Sequence, residues 1–108
     1  MSKLKVGVLG AKGRMGATVC EAITASSDCE LVSALDINDD MLALVASGAQ
    51  VVVDFTTPDS VAANLKFLAE NNIHAVVGTT GFDADKLAAV AKQFAASKAN
   101  VVIAPNFG

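Results

Sequence analysis

The chain has 108 residues, 53% hydrophobic and 18% charged, with a formal net charge of −3 at pH 7. A chain this rich in Val and Ala and this modest in charge is not disordered, and its length suits one domain with a core of its own. The acidic balance excludes nucleic acid or an anionic membrane surface as the main partner, because both select a basic face. No apolar run approaches the roughly 20 residues of a membrane span. Met1-Ser2-Lys3-Leu4-Lys5 enters a strand pattern without an apolar leader, so a cytoplasmic location is expected. Cys20 and Cys29 lie outside any CxxC pair, which predicts reduced thiols and no metal site.

In chain order, Lys5 to Leu9 reads as a first strand, followed by a glycine-rich turn. From Arg14 to Ala25, Met15, Val19, Ala22 and Ile23 recur at helical spacing and predict one apolar stripe. Glu30 to Leu35 is a second strand, and a short helix near Asp40 to Ala46 stops at Gly48. Val51, Val52 and Val53 form a third strand closed by Asp54. Thr57-Pro58 then opens a helix as cap and first-turn residue, with Val61, Leu65 and Leu68 along one face. His74 to Val77 is strand four, and the loop Gly78 to Phe82 leads to a helix beginning near Asp83. That helix carries Leu87, Val90, Ala91 and Phe94 as its stripe, and strand five spans Asn100 to Ala104.

Continuous aliphatic strands imply cover on both faces of a parallel sheet. The alternation of strands and helices predicts an α/β, doubly wound, Rossmann-like domain. The simplest order is 3-2-1-4-5, with the topological switch point between strands one and four. An unpaired fifth strand at the edge of that sheet predicts self-association.

Gly10-Ala11-Lys12-Gly13-Arg14-Met15-Gly16 occupies the first strand-to-helix turn. Glycines there let the backbone approach a pyrophosphate, and helix N–H groups bind the anion. The strict G-x-G-x-x-G does not fit; Ala11-x-Gly13-x-x-Gly16 does, with Gly10 before it. The competing reading is a tight turn without a ligand. Asp36 ends the second strand about 20 residues further on, where a carboxylate accepts the adenosine ribose hydroxyls and disfavours a 2′-phosphate. Lys12 and Arg14 partly offset that repulsion, and the competing reading of Asp36 is a solvated strand end. Phe55-Thr56-Thr57 and Gly78-Thr79-Thr80-Gly81 reach the same sheet edge and suit a ribose and a carboxamide. His74 begins strand four, roughly 13 Å from Gly78 at about 3.3 Å per residue, too far for a general acid at that edge. Asp54, at the end of strand three, is within reach of the site, and the reading preferred for it is to cap a helix or face solvent. No residue is assigned a catalytic role.

The segments Gly-Ala-Lys-Gly-Arg-Met-Gly, Val-Asp-Phe-Thr-Thr-Pro, Val-Val-Gly-Thr-Thr-Gly-Phe and Ala-Pro-Asn-Phe, in this order, resemble the dihydrodipicolinate reductase (4-hydroxy-tetrahydrodipicolinate reductase) family of lysine and diaminopimelate biosynthesis. The resemblance covers essentially the whole chain and is nearest to actinobacterial members. It implies a nicotinamide dinucleotide, NAD(H) and/or NADP(H), lying along Gly10, Ala11, Lys12, Gly13, Arg14 and Met15, with Asp36 at the ribose. It places Gly78, Thr79 and Thr80 beside the nicotinamide, and Ala104, Pro105, Asn106 and Phe107 on the nicotinamide side of the cleft. Some members carry Arg after the strand-two acid; Ile37 stands there, which suits NAD or dual use.

The family continues into a substrate-binding, tetramer-forming domain whose His-His and Lys-x-Asp-Ala-Pro-Ser-Gly-Thr segments have no counterpart in these 108 residues. Residues 1–108 are therefore expected to be the dinucleotide-binding domain, inactive alone. The alternatives are a non-enzymatic dinucleotide-binding module, natural or engineered, and a scaffold whose glycine turn holds no nucleotide.

Overall fold

The computed structural model describes residues 3–36, 39–56, 58–78 and 84–103. Strands and helices alternate in the order β1 (Leu4–Leu9), α1 (Arg14–Ala25), β2 (Cys29–Leu35), α2 (Leu42–Ala46), β3 (Val51–Asp54), α3 (Pro58–Glu70), β4 (His74–Val77), α4 (Ala84–Ala95) and β5 (Val101–Ile103). Helix bounds follow local chemistry. Pro58 opens α3, where a missing N–H costs nothing, and Gly48, at φ 77°, turns the chain after α2.

All strand pairs are parallel, and the sheet order is β2-β1-β3-β4-β5. The doubly wound class is as expected, but β3 lies inside the sheet next to β1 and β2 forms an edge. The physical reason lies in the two strands and their connection. In β3, Val52 and Asp54 are fully buried, whereas β2 exposes Glu30 and Ala34. The β2-to-β3 connection crosses β1 at Gly7, where a Cβ would lie 2.7 Å from Leu44 Cδ2. Gly7 thus admits the buried Leu44 of the five-residue α2 onto the strand. The switch point consequently moves from strands one and four to β1 and β3.

The connection from β1 to β2 runs one way along the sheet, and those to β3, β4 and β5 run the other, which segregates the helices by face. The register rows Gly7, Val52, Ala75, Val101 and Leu9, Asp54, Val77 share one face. Their side belongs to a core with Leu44, Val61, Leu65, Leu68, Val90 and Phe94. Each such aliphatic or aromatic side chain contributes about 1.5–3 kcal/mol by leaving water. On the other face α1 packs on β1 and β2. There the row Val8, Val53, Val76, Val102 passes from fully buried Val8, through half-buried Val53 and Val76, to Val102 at 57% exposure. Full cover of both faces therefore holds at β1 and is lost toward β5.

The α1 stripe is likewise shallower than its spacing predicts: Met15, Val19 and Ile23 are half-buried, Ala22 is exposed, and Gly16 is the buried residue. In α4, Val90 and Phe94 are buried while Ala91 is exposed. Both cysteines are free. Among the described residues no helix is long and apolar enough to cross a membrane, and no group of three His, Cys, Asp or Glu could hold a metal.

Candidate functional site

At the carboxyl edge of the sheet β1, β2 and β3 hand their last hydrogen bonds to the loops beside them. The Leu35 carbonyl accepts from Gly10 N–H at 2.9 Å and Ala11 N–H at 3.0 Å, the Leu9 carbonyl from Phe55 N–H at 3.0 Å, and the Asp54 carbonyl from Gly78 N–H at 2.9 Å. These bonds splay the loops after β1 and β3 around a cleft of about 320 Å³. Of the predicted residues, Gly10, Gly13, Asp36, Phe55 and Thr56 line it.

Three glycines shape the turn from β1 to α1, each differently. Gly10 adopts φ 78° and brings its backbone against Phe55, whose carbonyl oxygen would lie 2.9 Å from a Cβ. A side chain at Gly16 would overlap the Gly10 carbonyl, so Gly16 lets α1 sit on the turn. Gly13 caps α1 at φ −71° and ψ 165°, and among the described residues no side chain supplies a capping bond. Its Cβ would meet only Gly10 O, at 3.4 Å. Gly10 thus takes the tight-turn role that the motif gives to its first glycine, one position before Ala11. The first N–H groups of a helix lack intrahelical partners, and the first turn of α1 carries no carboxylate. That combination is a ready anion site.

The side of the cleft next to the glycine turn is acidic. Asp36 Oδ2 accepts from the Lys12 N–H at 3.1 Å, so the carboxylate reaches across to the glycine turn. Asp36 N–H donates to Asp39 Oδ2 at 2.7 Å, and Asp39 N–H donates back to the Asp36 carbonyl at 2.9 Å. Asp39 lines the cleft and was not singled out in the sequence, nor were Met41, Ser60 and Asn64. The run Asp39-Asp40 carried a signal; Asn64, a polar neighbour of the Val61, Leu65, Leu68 stripe, carried another.

Asp54 does not face solvent: it is fully buried beside the cleft, which its place at the end of strand three allowed. Its Oδ1 accepts from Thr56 N–H at 2.8 Å and Thr56 Oγ at 2.6 Å, and its Oδ2 from Asn64 Nδ2 at 3.1 Å. These bonds hold the corner that precedes α3. Gly78 lies beneath the Phe55 ring, which a Cβ there would overlap. Lys12 and Arg14 are exposed at the glycine turn, with Ala11 and Met15 half-buried. His74 is held at the far end of β4, its Nδ1 accepting from Asn100 N–H at 3.0 Å, and takes no part in the cleft. Thr79, Thr80, Ala104, Pro105, Asn106 and Phe107 lie outside the described residues.

Comparison with known proteins agrees with this architecture. Residues 4–107 match the family described as Dihydrodipicolinate reductase, N-terminus. The 4-hydroxy-tetrahydrodipicolinate reductase of Corynebacterium efficiens is 56% identical over 105 residues, and that of Nocardia farcinica 54% identical over 105 residues. Both alignments cover 96% of this chain, which spans only 42% of the length of either relative. Dipicolinate-bound dihydrodipicolinate reductase from Paenisporosarcina sp. TG-14 aligns with a TM-score of 0.83 at 26% identity, over 97% of this chain and 48% of that one. Homoserine dehydrogenase of S. aureus shares the fold, with a TM-score of 0.74 at 15% identity over 98% of this chain and 33% of its own. With its five-stranded parallel sheet and its glycine turn at the β1/β3 switch point, this chain belongs to the dihydrodipicolinate reductase family, as its N-terminal, nucleotide-binding domain.

Proposed function

We propose that residues 1–108 bind a nicotinamide dinucleotide, NAD(H) and/or NADP(H), as the cofactor half of a cytoplasmic reductase that converts dihydrodipicolinate to tetrahydrodipicolinate. The bare N-terminus of α1 carries this reading: Gly13 offers no side chain, the first turn holds no carboxylate, and both Gly10 and Gly13 border the cleft. Such a terminus fits a pyrophosphate along Gly10 to Met15. Asp36, against the turn at Lys12, takes the ribose hydroxyls, and Phe55 and Thr56 form another part of the cleft wall. Gly78, Thr79, Thr80 and Ala104 to Phe107 serve the nicotinamide side. The bound cofactor supplies a hydride; this chain binds and orients it, and substrate contacts come from the portion of its relatives beyond this domain.

Calorimetric titration with NADH and NADPH tests the reading. The expected result is saturable binding that disappears in Gly13→Glu. The fold tolerates that change, because φ at Gly13 is ordinary and its Cβ meets little, while it sets a carboxylate on the anion site. Absence of binding at millimolar cofactor overturns the proposal. Joining the chain to the C-terminal part of the C. efficiens relative and following NADH oxidation with dihydrodipicolinate separates a reductase domain from a binding module without turnover. We also propose that the chain self-associates through the β5 edge.

A further inference from the structure

We propose that Asp54 is the positioning residue of the dinucleotide cleft, its buried carboxylate fixing the β3–α3 corner against which the cofactor lies. This rests on the reading of the cleft given above. Among the described residues Asp54 is the buried charged one, at 0% exposure. Its register neighbours on that face are Leu9 and Val77, both in the apolar core. A third aliphatic would extend that core; a carboxylate instead has to replace its hydration with hydrogen bonds. A local rule broken in this way marks a place where something besides packing is selected.

The bonds identify what is held. Thr56 is tied through both its amide and its hydroxyl to Asp54 Oδ1, at 2.8 and 2.6 Å. Asn64, from the second turn of α3, donates to Asp54 Oδ2 at 3.1 Å and to Thr56 Oγ at 3.2 Å. The Asp54 carbonyl accepts from Gly78 N–H. Phe55, held between Asp54 and Thr56, presses its carbonyl on Gly10 and its ring on Gly78. The Asp54 side chain thereby fixes the β3 corner that holds Phe55 between the glycine turn and the end of β4, although it is not itself a wall of the cleft.

Asp54→Asn preserves shape and removes the charge, and the amide nitrogen it introduces then opposes that of Asn64, a conflict relieved only if the Asn64 amide turns over and stops donating to Thr56 Oγ. The exchanged pair Asp54→Asn with Asn64→Asp restores a donor facing an acceptor. NADH affinity by calorimetry is read beside hydrogen exchange of the Thr56 amide and the spectrum of the core. In a folded Asp54→Asn chain we expect the Thr56 amide, now held by a neutral acceptor at a loosened corner, to exchange faster than in the wild type and NADH to bind about tenfold more weakly, with affinity partly recovered in the exchanged pair. A folded Asp54→Asn chain that binds NADH like the wild type, or that keeps Thr56 protected, overturns the positioning role while leaving the cleft reading intact. A wild-type chain that binds neither NADH nor NADPH overturns the cleft reading and this proposal together. Should Asp54→Asn fail to fold, Asn64→Ala carries the test: affinity reduced about threefold supports the role, and unchanged affinity overturns it.

Discussion

Asp36 and Asp39 brace each other through two hydrogen bonds and set two carboxylates on the lining of one end of the cleft. A cofactor bearing a 2′-phosphate brings further negative charge to that end. A pair of unit charges 4 Å apart in water repels by about 1 kcal/mol, and by more beside a protein surface. Asp39→Asn is therefore expected to improve NADPH binding relative to NADH about fivefold, an effect that shrinks as salt screens it. Titrations with both cofactors at low and high ionic strength check this; equal changes for both cofactors count against it. Asp36 was legible in the sequence because it ends a strand at the expected distance from a glycine turn. Asp39 was overlooked although its bonds to Asp36 are local; Met41 and Asn64 were not legible, because their relevance comes from contacts with other elements. Asn64 lies ten positions beyond Asp54 and meets it only when α3 folds back over the end of β3.

At the scale of elements, the decisive contact is Leu44 on Gly7, which carries the β2-to-β3 connection over β1. A methyl at Gly7 forces the buried Leu44 aside, and overpacking of this kind costs about 1–3 kcal/mol. Leu44→Ala opens a cavity and costs about 2–5 kcal/mol by itself. Because the two changes share one space, the double variant Gly7→Ala with Leu44→Ala should be less destabilised than the sum of the single variants. Urea denaturation of the four proteins measures the coupling, and simple additivity would mean that Leu44 does not fill the space Gly7 leaves. Helix and strand bounds could be read from the sequence to within a few residues, since apolar spacing and the caps at Pro58 and Gly48 are local. Strand order could not. The same strands and connections satisfy 3-2-1-4-5, and the arbiter is a side chain of a five-residue helix resting on a glycine of another element.

At the scale of the whole molecule, the two faces of the sheet are unequally covered. Continuous valines suggested cover on both sides, but the row from Val8 to Val102 emerges from beneath α1 and ends 57% exposed on an edge strand. An apolar edge strand is a template for pairing with another copy. Size-exclusion chromatography with light scattering is expected to show a concentration-dependent dimer or larger species, shifted toward monomer by Val102→Lys; a sharp wild-type monomer at high concentration would refute this.

The hydrogen bond from Phe55 N–H to the Leu9 carbonyl joins the two lips of the cleft, and it has a consequence in time. During synthesis the glycine turn and Asp36 leave the ribosome early, together with β1, α1 and β2, yet no cavity exists between them. It comes into being only when β3 docks on β1, a pairing between residues 45 positions apart that closes a long loop. The molecule should therefore gain its affinity late and abruptly, at the step that completes the centre of the sheet. A dinucleotide present at that moment would hold the newly closed chain against reopening, by about 2.7 kcal/mol at a hundredfold excess over its dissociation constant.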